Sequence, residues 1–202
     1  MERARPLPSR RRLLTGAALA ALPGSLLSVA PAAARATYVD DPSAEWSPAD
    51  PANYTVAERP LTHPIDHVVI HVAQETYEDT LAIFGDPTRR VSAHYVVSSR
   101  GRLAQCVREA DIGWHAGNWD HNTRSVGIEH EGWVDRPWFF THAMYERSAR
   151  LTAGVCDRYG IPKDRSRIIA HHEVPGSDHV DPGPLWDWTR YIRLVNLLSE
   201  PR

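Results

Sequence analysis

Residues 168–188 read IIAHHEVPGSDHVDPGPLWDW and hold three histidines, several carboxylates and a Pro-Gly-Pro turn. Imidazole and carboxylate together can hold a divalent cation, and histidine is the commonest metal ligand. Ile168-Ile169-Ala170 is a short apolar run of strand length, so His171 should emerge where a strand ends. Pro175-Gly176 and Pro182-Gly183-Pro184 force an irregular loop, because each proline fixes φ and removes a donor. A rigid loop with His171 at one end and Asp181 at the other can aim both side chains at one point. A hydrolytic zinc centre takes three protein ligands and leaves a position for water, so a third donor is required. His172-Glu173 opens like an H-E-x-x-H helix, but the fifth residue is Gly176 and Pro175 forbids the helix. His172 is therefore expected to point away from a metal.

The third donor must come from another element. IDHVVIHV, residues 65–72, is apolar on both faces and reads as an interior strand with His71 at its C-terminal end. A lone histidine there is ordinarily a core residue. In SVGIEHE, residues 125–131, alternation puts Glu129 and Glu131 on one face. A carboxylate buried on a strand is costly without a partner or a task. Glu131 lies about 6.6 Å beyond Glu129 at strand rise and is expected at the rim of the same site.

Four further elements are expected to frame these positions. Residues 76–84 form a short helix with Thr76 and Asp79 in a capping pattern. Residues 92–97 and 102–107 form a hairpin around Ser99-Arg100-Gly101. Residues 142–159 carry an apolar stripe from Met144 to Tyr159 and end at Gly160, and residues 188–198 repeat the pattern behind Asp187. The glycine-flanked IGWHAGN, residues 112–118, reads as a loop.

His171, Glu173-Val174 and Asp181-Pro182-Gly183-Pro184, with Ser92-Ala93-His94-Tyr95 and Trp114-His115-Ala116-Gly117, resemble the zinc-dependent N-acetylmuramoyl-L-alanine amidases of type 2, relatives of the peptidoglycan recognition proteins. The resemblance covers roughly residues 64–188. It implies an α/β fold, a single mixed central β-sheet flanked by helices. It implies zinc held by His71, His171 and Asp181, with Glu129 as general base then acid. His94, Trp114, His115 and Asn118 fall where the family lines its substrate cleft or the floor of its site. Many members carry an oxyanion-stabilising lysine two residues before the aspartate; here that position is His179, and the loop is one residue longer. The implied substrate is peptidoglycan or its muropeptides, cut between N-acetylmuramic acid and L-alanine. The alternative is a recognition-type module that binds peptidoglycan without cutting it. Asp181 and Glu129 weigh against that.

Composition sets the remaining bounds. With 23 Lys+Arg against 25 Asp+Glu the net charge is -2, so no basic footprint for nucleic acid is present. Residues 1–36 read as a twin-arginine-type signal peptide: Ser9-Arg10-Arg11-Arg12-Leu13-Leu14, an apolar run broken by Gly16 and Pro23, then Ala34-Arg35-Ala36. That pattern implies a secreted or cell-wall protein with no stable membrane anchor after cleavage; nothing in the sequence points to an obligate dimer, so a monomer is expected. Residues 37–62 read as an N-terminal arm lying over the domain, with Trp46 and Tyr54 as anchors, and residues 63–202 as the amidase domain. Cys106 and Cys156 are expected to be two buried thiols.

Overall fold

The computed structural model describes residues 39–198; the signal peptide expected at residues 1–36 lies outside them. Eight short strands form: β1 (Glu45–Trp46), β2 (Tyr54–Thr55), β3 (His67–Ile70), β4 (Tyr95–Val97), β5 (Leu103–Gln105), β6 (Ile112–Gly113), β7 (Ser125–His130) and β8 (Ile168–Ala170). Six of them make one mixed sheet in the order β1-β5-β4-β7-β3-β8, with β4–β5 its antiparallel pair. The strand read from the IDHVVIHV run is interior, flanked by β7 and β8. Both its faces are therefore buried, which is why its sequence is apolar without alternation.

The described residues contain four α-helices, α1 (Tyr77–Gly85), α2 (Trp119–Arg124), α3 (His142–Tyr159) and α4 (Trp188–Leu197), and all but α2 follow from local signals. The hydroxyls of Thr76 and Thr141 and the carboxylate of Asp187 accept from the first-turn amides of α1, α3 and α4. Gly160 ends α3 in the left-handed region at φ 68°. The sequence pattern does not announce α2: its six residues are too short to show a period, and Asn118 caps it from within the WHAGN loop.

α3 and α4 cover one face of the sheet, where Val68, Ile70, Val126, Ile128 and Ile168 meet Met144, Leu151, Val155 and Tyr191. α1 covers part of the other face, packing Tyr77 and Phe84 on Val96, Ala104 and Cys106. Cys156 belongs to the first core and Cys106 to the second, and both are free thiols as expected.

The arm does more than lie over the domain. Its β1 extends the sheet beside β5, and β2 pairs with β6. Trp46 and Tyr54 stand in those strands, but a further anchor is the buried charge of Arg59, 4 % exposed. Its guanidinium donates to the carbonyls of Glu109, Asn122, Thr123 and Ser125, at 2.7–3.3 Å. Burial lowers its pKa to about 10, still far above neutrality.

Candidate metal centre and active site

Register brings the donors together. Val69 pairs with Gly127 on one side and with Ile169 on the other. Two residues further along each strand stand His71, Glu129 and His171, which alternation turns to the same face. All three lie at the C-terminal ends of adjacent parallel strands, where open α/β sheets bind their ligands. The 168–188 loop then returns Asp181 to that row. The backbone and ring nitrogens of His172 both reach the Asp181 carbonyl, at 3.2 and 3.1 Å, so His172 holds the loop and is not a donor.

His71, His171 and Asp181 offer donor atoms that all lie within 4.8 Å of one another, and all three residues are buried. His71 Nδ1 is 3.3 Å from one Asp181 oxygen, and His171 Nδ1 is 3.1 Å from the other. The Val72 amide also donates to Asp181, at 3.3 Å. Of the six buried side-chain polar atoms without a hydrogen-bond partner among the described residues, two lie here, His171 Nε2 and Glu129 Oε2. A converging pair of imidazoles and a carboxylate, beside orphaned polar atoms, fits a divalent cation.

The electrostatics agree. Burial lowers the His71 pKa to about 4, so its ring is neutral and keeps a lone pair at neutral pH. Burial alone would raise Asp181, but hydrogen bonds from His171 and His71 outweigh it and hold the carboxyl well below the usual range. Glu129 moves the opposite way, pushed well above the carboxylate range by burial and then by the Asp181 charge. Its carboxylate is 4.0 Å from His71 Nδ1 and 15 % exposed, able to reach both the centre and solvent.

His179 stands at the mouth, 56 % exposed, with Nδ1 3.5 Å from Asp181. It lines three adjoining hollows. One, of about 230 Å³, runs from Glu129 and His171 to Ile83 and Phe84. One of about 550 Å³ is walled by Arg90, Trp114 and Trp119. One of about 580 Å³ is walled by Arg165, Trp186 and Trp188.

The residues expected along the cleft divide. Trp114 does line it, with its Nε1 donating to Thr55 and the Arg90 cation over its ring. His94 does not reach the cleft. It is fully buried, its Nδ1 accepts from the Gly127 amide at 3.0 Å, and its Nε2 lies 2.7 Å from Arg59 Nη2. His115 is also buried, with Nδ1 3.0 Å from His71 Nε2, so it touches a donor and not the cleft. Asn118 spends its amide on structure: Oδ1 caps α2 and Nδ2 donates to the Pro175 carbonyl at 3.0 Å. Glu131 leaves the site as well, its carboxylate accepting from the amide and hydroxyl of Ser99. His130, on the opposite face of β7, carries no signal in the sequence; its Nδ1 donates to the His71 carbonyl at 2.7 Å.

A mixed sheet with a His-His-Asp donor set and a buried glutamate at its strand ends describes a metal-dependent hydrolase. The family model described as N-acetylmuramoyl-L-alanine amidase matches residues 61–184, and the chain belongs to that family. It is 32% identical over 176 residues to N-acetylmuramoyl-L-alanine amidase A of Achromobacter lyticus, covering 78% of this chain and 96% of that one. It is 37% identical over 113 residues to the 1,6-anhydro-N-acetylmuramyl-L-alanine amidase AmpD of Haemophilus influenzae, there covering 52% of this chain and 59% of the relative. Among solved structures, an AmpD derivative superposes with a TM-score of 0.64 at 27% identity, covering 77% of this chain and 96% of that one. The hydrolase AmiA of Staphylococcus aureus shares the fold, with a TM-score of 0.60 at 17% identity, covering 76% of this chain and 80% of that one.

Proposed function

We propose that this chain hydrolyses the amide between N-acetylmuramic acid and the L-alanine of peptidoglycan stem peptides, using zinc held by His71, His171 and Asp181. The observation that carries the reading is the buried convergence of those three donors beside Glu129. Zinc bound there supplies Lewis-acid polarisation of the scissile carbonyl and a water acidic enough to ionise near neutral pH. Glu129 accepts a proton from the attacking water and passes it to the leaving amine, and its raised pKa suits both transfers. His179, reaching in from solvent at the position of the family lysine, donates to the oxygen on which charge develops. The hollows on either side of His179 leave room for the muramyl sugar on one flank and the stem peptide on the other.

Mass spectrometry of defined muropeptides incubated with the mature domain tests this directly. Free stem peptide and an intact muramyl sugar are expected, abolished by a chelator and restored by zinc. No cleavage by zinc-loaded protein would leave a peptidoglycan-binding module as the reading. The leader motif further supports twin-arginine export and release without a membrane anchor. An exported product whose N-terminus is not near Thr37 would contradict it.

A further inference from the structure

His71 is held from two sides by other histidines. His130 Nδ1 fixes its carbonyl, and His115 Nδ1 faces its Nε2 at 3.0 Å. The proton positions along this second contact follow from the site. His71 Nδ1 faces the Asp181 carboxylate at 3.3 Å; with the cation of the zinc reading between them Nδ1 would offer its lone pair, leaving the ring proton on Nε2, whereas without it Nδ1–H would donate to Asp181. Nε2–H then donates to His115 Nδ1, which obliges His115 to carry its own proton on Nε2. That nitrogen lies 3.3 Å from Ser125 Oγ, and the Ser125 hydroxyl donates in turn to the His121 carbonyl. Every donor in the chain meets an acceptor, all in one direction.

The ring of His115 has one seat. Its amide and that of Ala116 both donate to Asn122 Oδ1, at 3.1 and 2.8 Å, which fixes the loop. Its side chain lies over Gly127, where an added Cβ would come within 2.5 Å of the ring. A side chain there would push His115 off His71.

We propose that His115 is a positioning residue for the metal: by accepting from His71 Nε2, with Ser125 closing the relay, it sets the tautomer and ring plane of that ligand. The inference rests on the zinc reading above.

The test is competition of zinc against a chelator in the mature protein, comparing wild type with His115→Phe, His115→Asn and Ser125→Ala. Partners of ligand histidines typically change metal affinity by about 10–100-fold. His115→Phe keeps an aromatic ring but no acceptor and is expected to weaken zinc binding by that factor. His115→Asn, whose Oδ1 falls where Nδ1 was, is expected to recover most of it. Zinc binding by His115→Phe equal to wild type, or His115→Asn no better than His115→Phe, would overturn the proposal. Should the position 115 variants fail to fold, nitrogen-15 spectra of the zinc-loaded wild type decide: protons are expected on Nε2 of both His71 and His115, and one on His115 Nδ1 sinks the relay. Failure of the wild type itself to bind zinc would strike the metal reading instead.

Discussion

The rings of His171 and His179 stack, with centroids 4.0 Å apart and planes 27° from parallel. His179 Nδ1 stands 3.5 Å from the same Asp181 oxygen that His171 Nδ1 meets at 3.1 Å. One of these rings is buried among the donors and the other is mostly in solvent. The stack therefore joins the floor of the centre to its entrance, and a substrate arriving from any of the three hollows passes His179.

Asp181 meets His71 and His171, one with each oxygen, and on the zinc reading these are the three ligands. Asp181→Ala should therefore lose zinc and activity together. Elemental analysis of the purified variant checks this, and stoichiometric zinc in it would refute the ligand set.

Glu129→Gln and His179→Ala should separate from that result, since neither removes a donor of the buried set. Both variants are expected to keep zinc. Turnover on a defined muropeptide should fall by roughly 100- to 10,000-fold for Glu129→Gln. For His179→Ala the fall should be roughly 100-fold. Unchanged turnover in either would remove that residue from the mechanism.

The metal-free domain should lose stability in mild acid. Burial lowers His71 to about 4 and His130 to about 3, and it pulls His94 and His115 well below their usual value. An unfolded histidine titrates near 6.5, so on acidification the unfolded chain takes up protons before the folded one. The contribution of these four histidines is then full above about pH 6.5 and falls as pH drops toward 4, with Glu129, raised by burial, acting in the opposite sense. Each tenfold loss of proton affinity on folding corresponds to about 1.4 kcal/mol, so His71 and His130 alone put several kcal/mol at stake, comparable to the whole margin of a small domain. Urea midpoints of chelator-treated protein between pH 4.5 and 7.5 should rise with pH; a flat series would contradict the buried neutral state.

Arg59→Met should destabilise the fold by at least about 3 kcal/mol, because it strands four backbone carbonyls that the guanidinium satisfies. Arg59→Lys should rescue little, since an ammonium lacks the fork that reaches them all. Thermal unfolding of the zinc-loaded variants measures both.

Much of this is legible in the residues. Strand alternation and the apolar run ending in His71 are local patterns, as are the Thr76 and Asp187 caps and the apolar stripe of residues 142–159 ending at Gly160, and these set β3, α1, α3 and α4. The convergence of His71, Glu129 and His171 follows once the strands carrying them pair in register. What local pattern does not carry is which buried group meets which. Arg59 is a single arginine in a proline-rich arm, and nothing near it announces that it ends under β7. His94 and His115 sit in motifs associated with the cleft, yet the chain buries both, and Asn118 gives its amide to the α2 cap and the Pro175 carbonyl; hydrogen-bond satisfaction decides the partners of all three. Glu131 obeys the alternation that pairs it with Glu129, but two donors from Ser99 draw its carboxylate to the hairpin turn. His130 faces α3, so the same alternation that exposes Glu129 hides the residue fixing the His71 backbone.

Cys106 and Cys156 lie in separate cores, Cys106 packed with α1 residues and Cys156 on the buried side of α3. Burial raises both thiols, Cys156 to about 12, so neither is a ready thiolate. Nothing in the assembly of the described domain waits for an oxidant. The same packed body can form in a reducing or an oxidising milieu, and neither reductant nor air should change its shape. Folding is thereby uncoupled from redox compartment: the described domain can be finished wherever the chain is made.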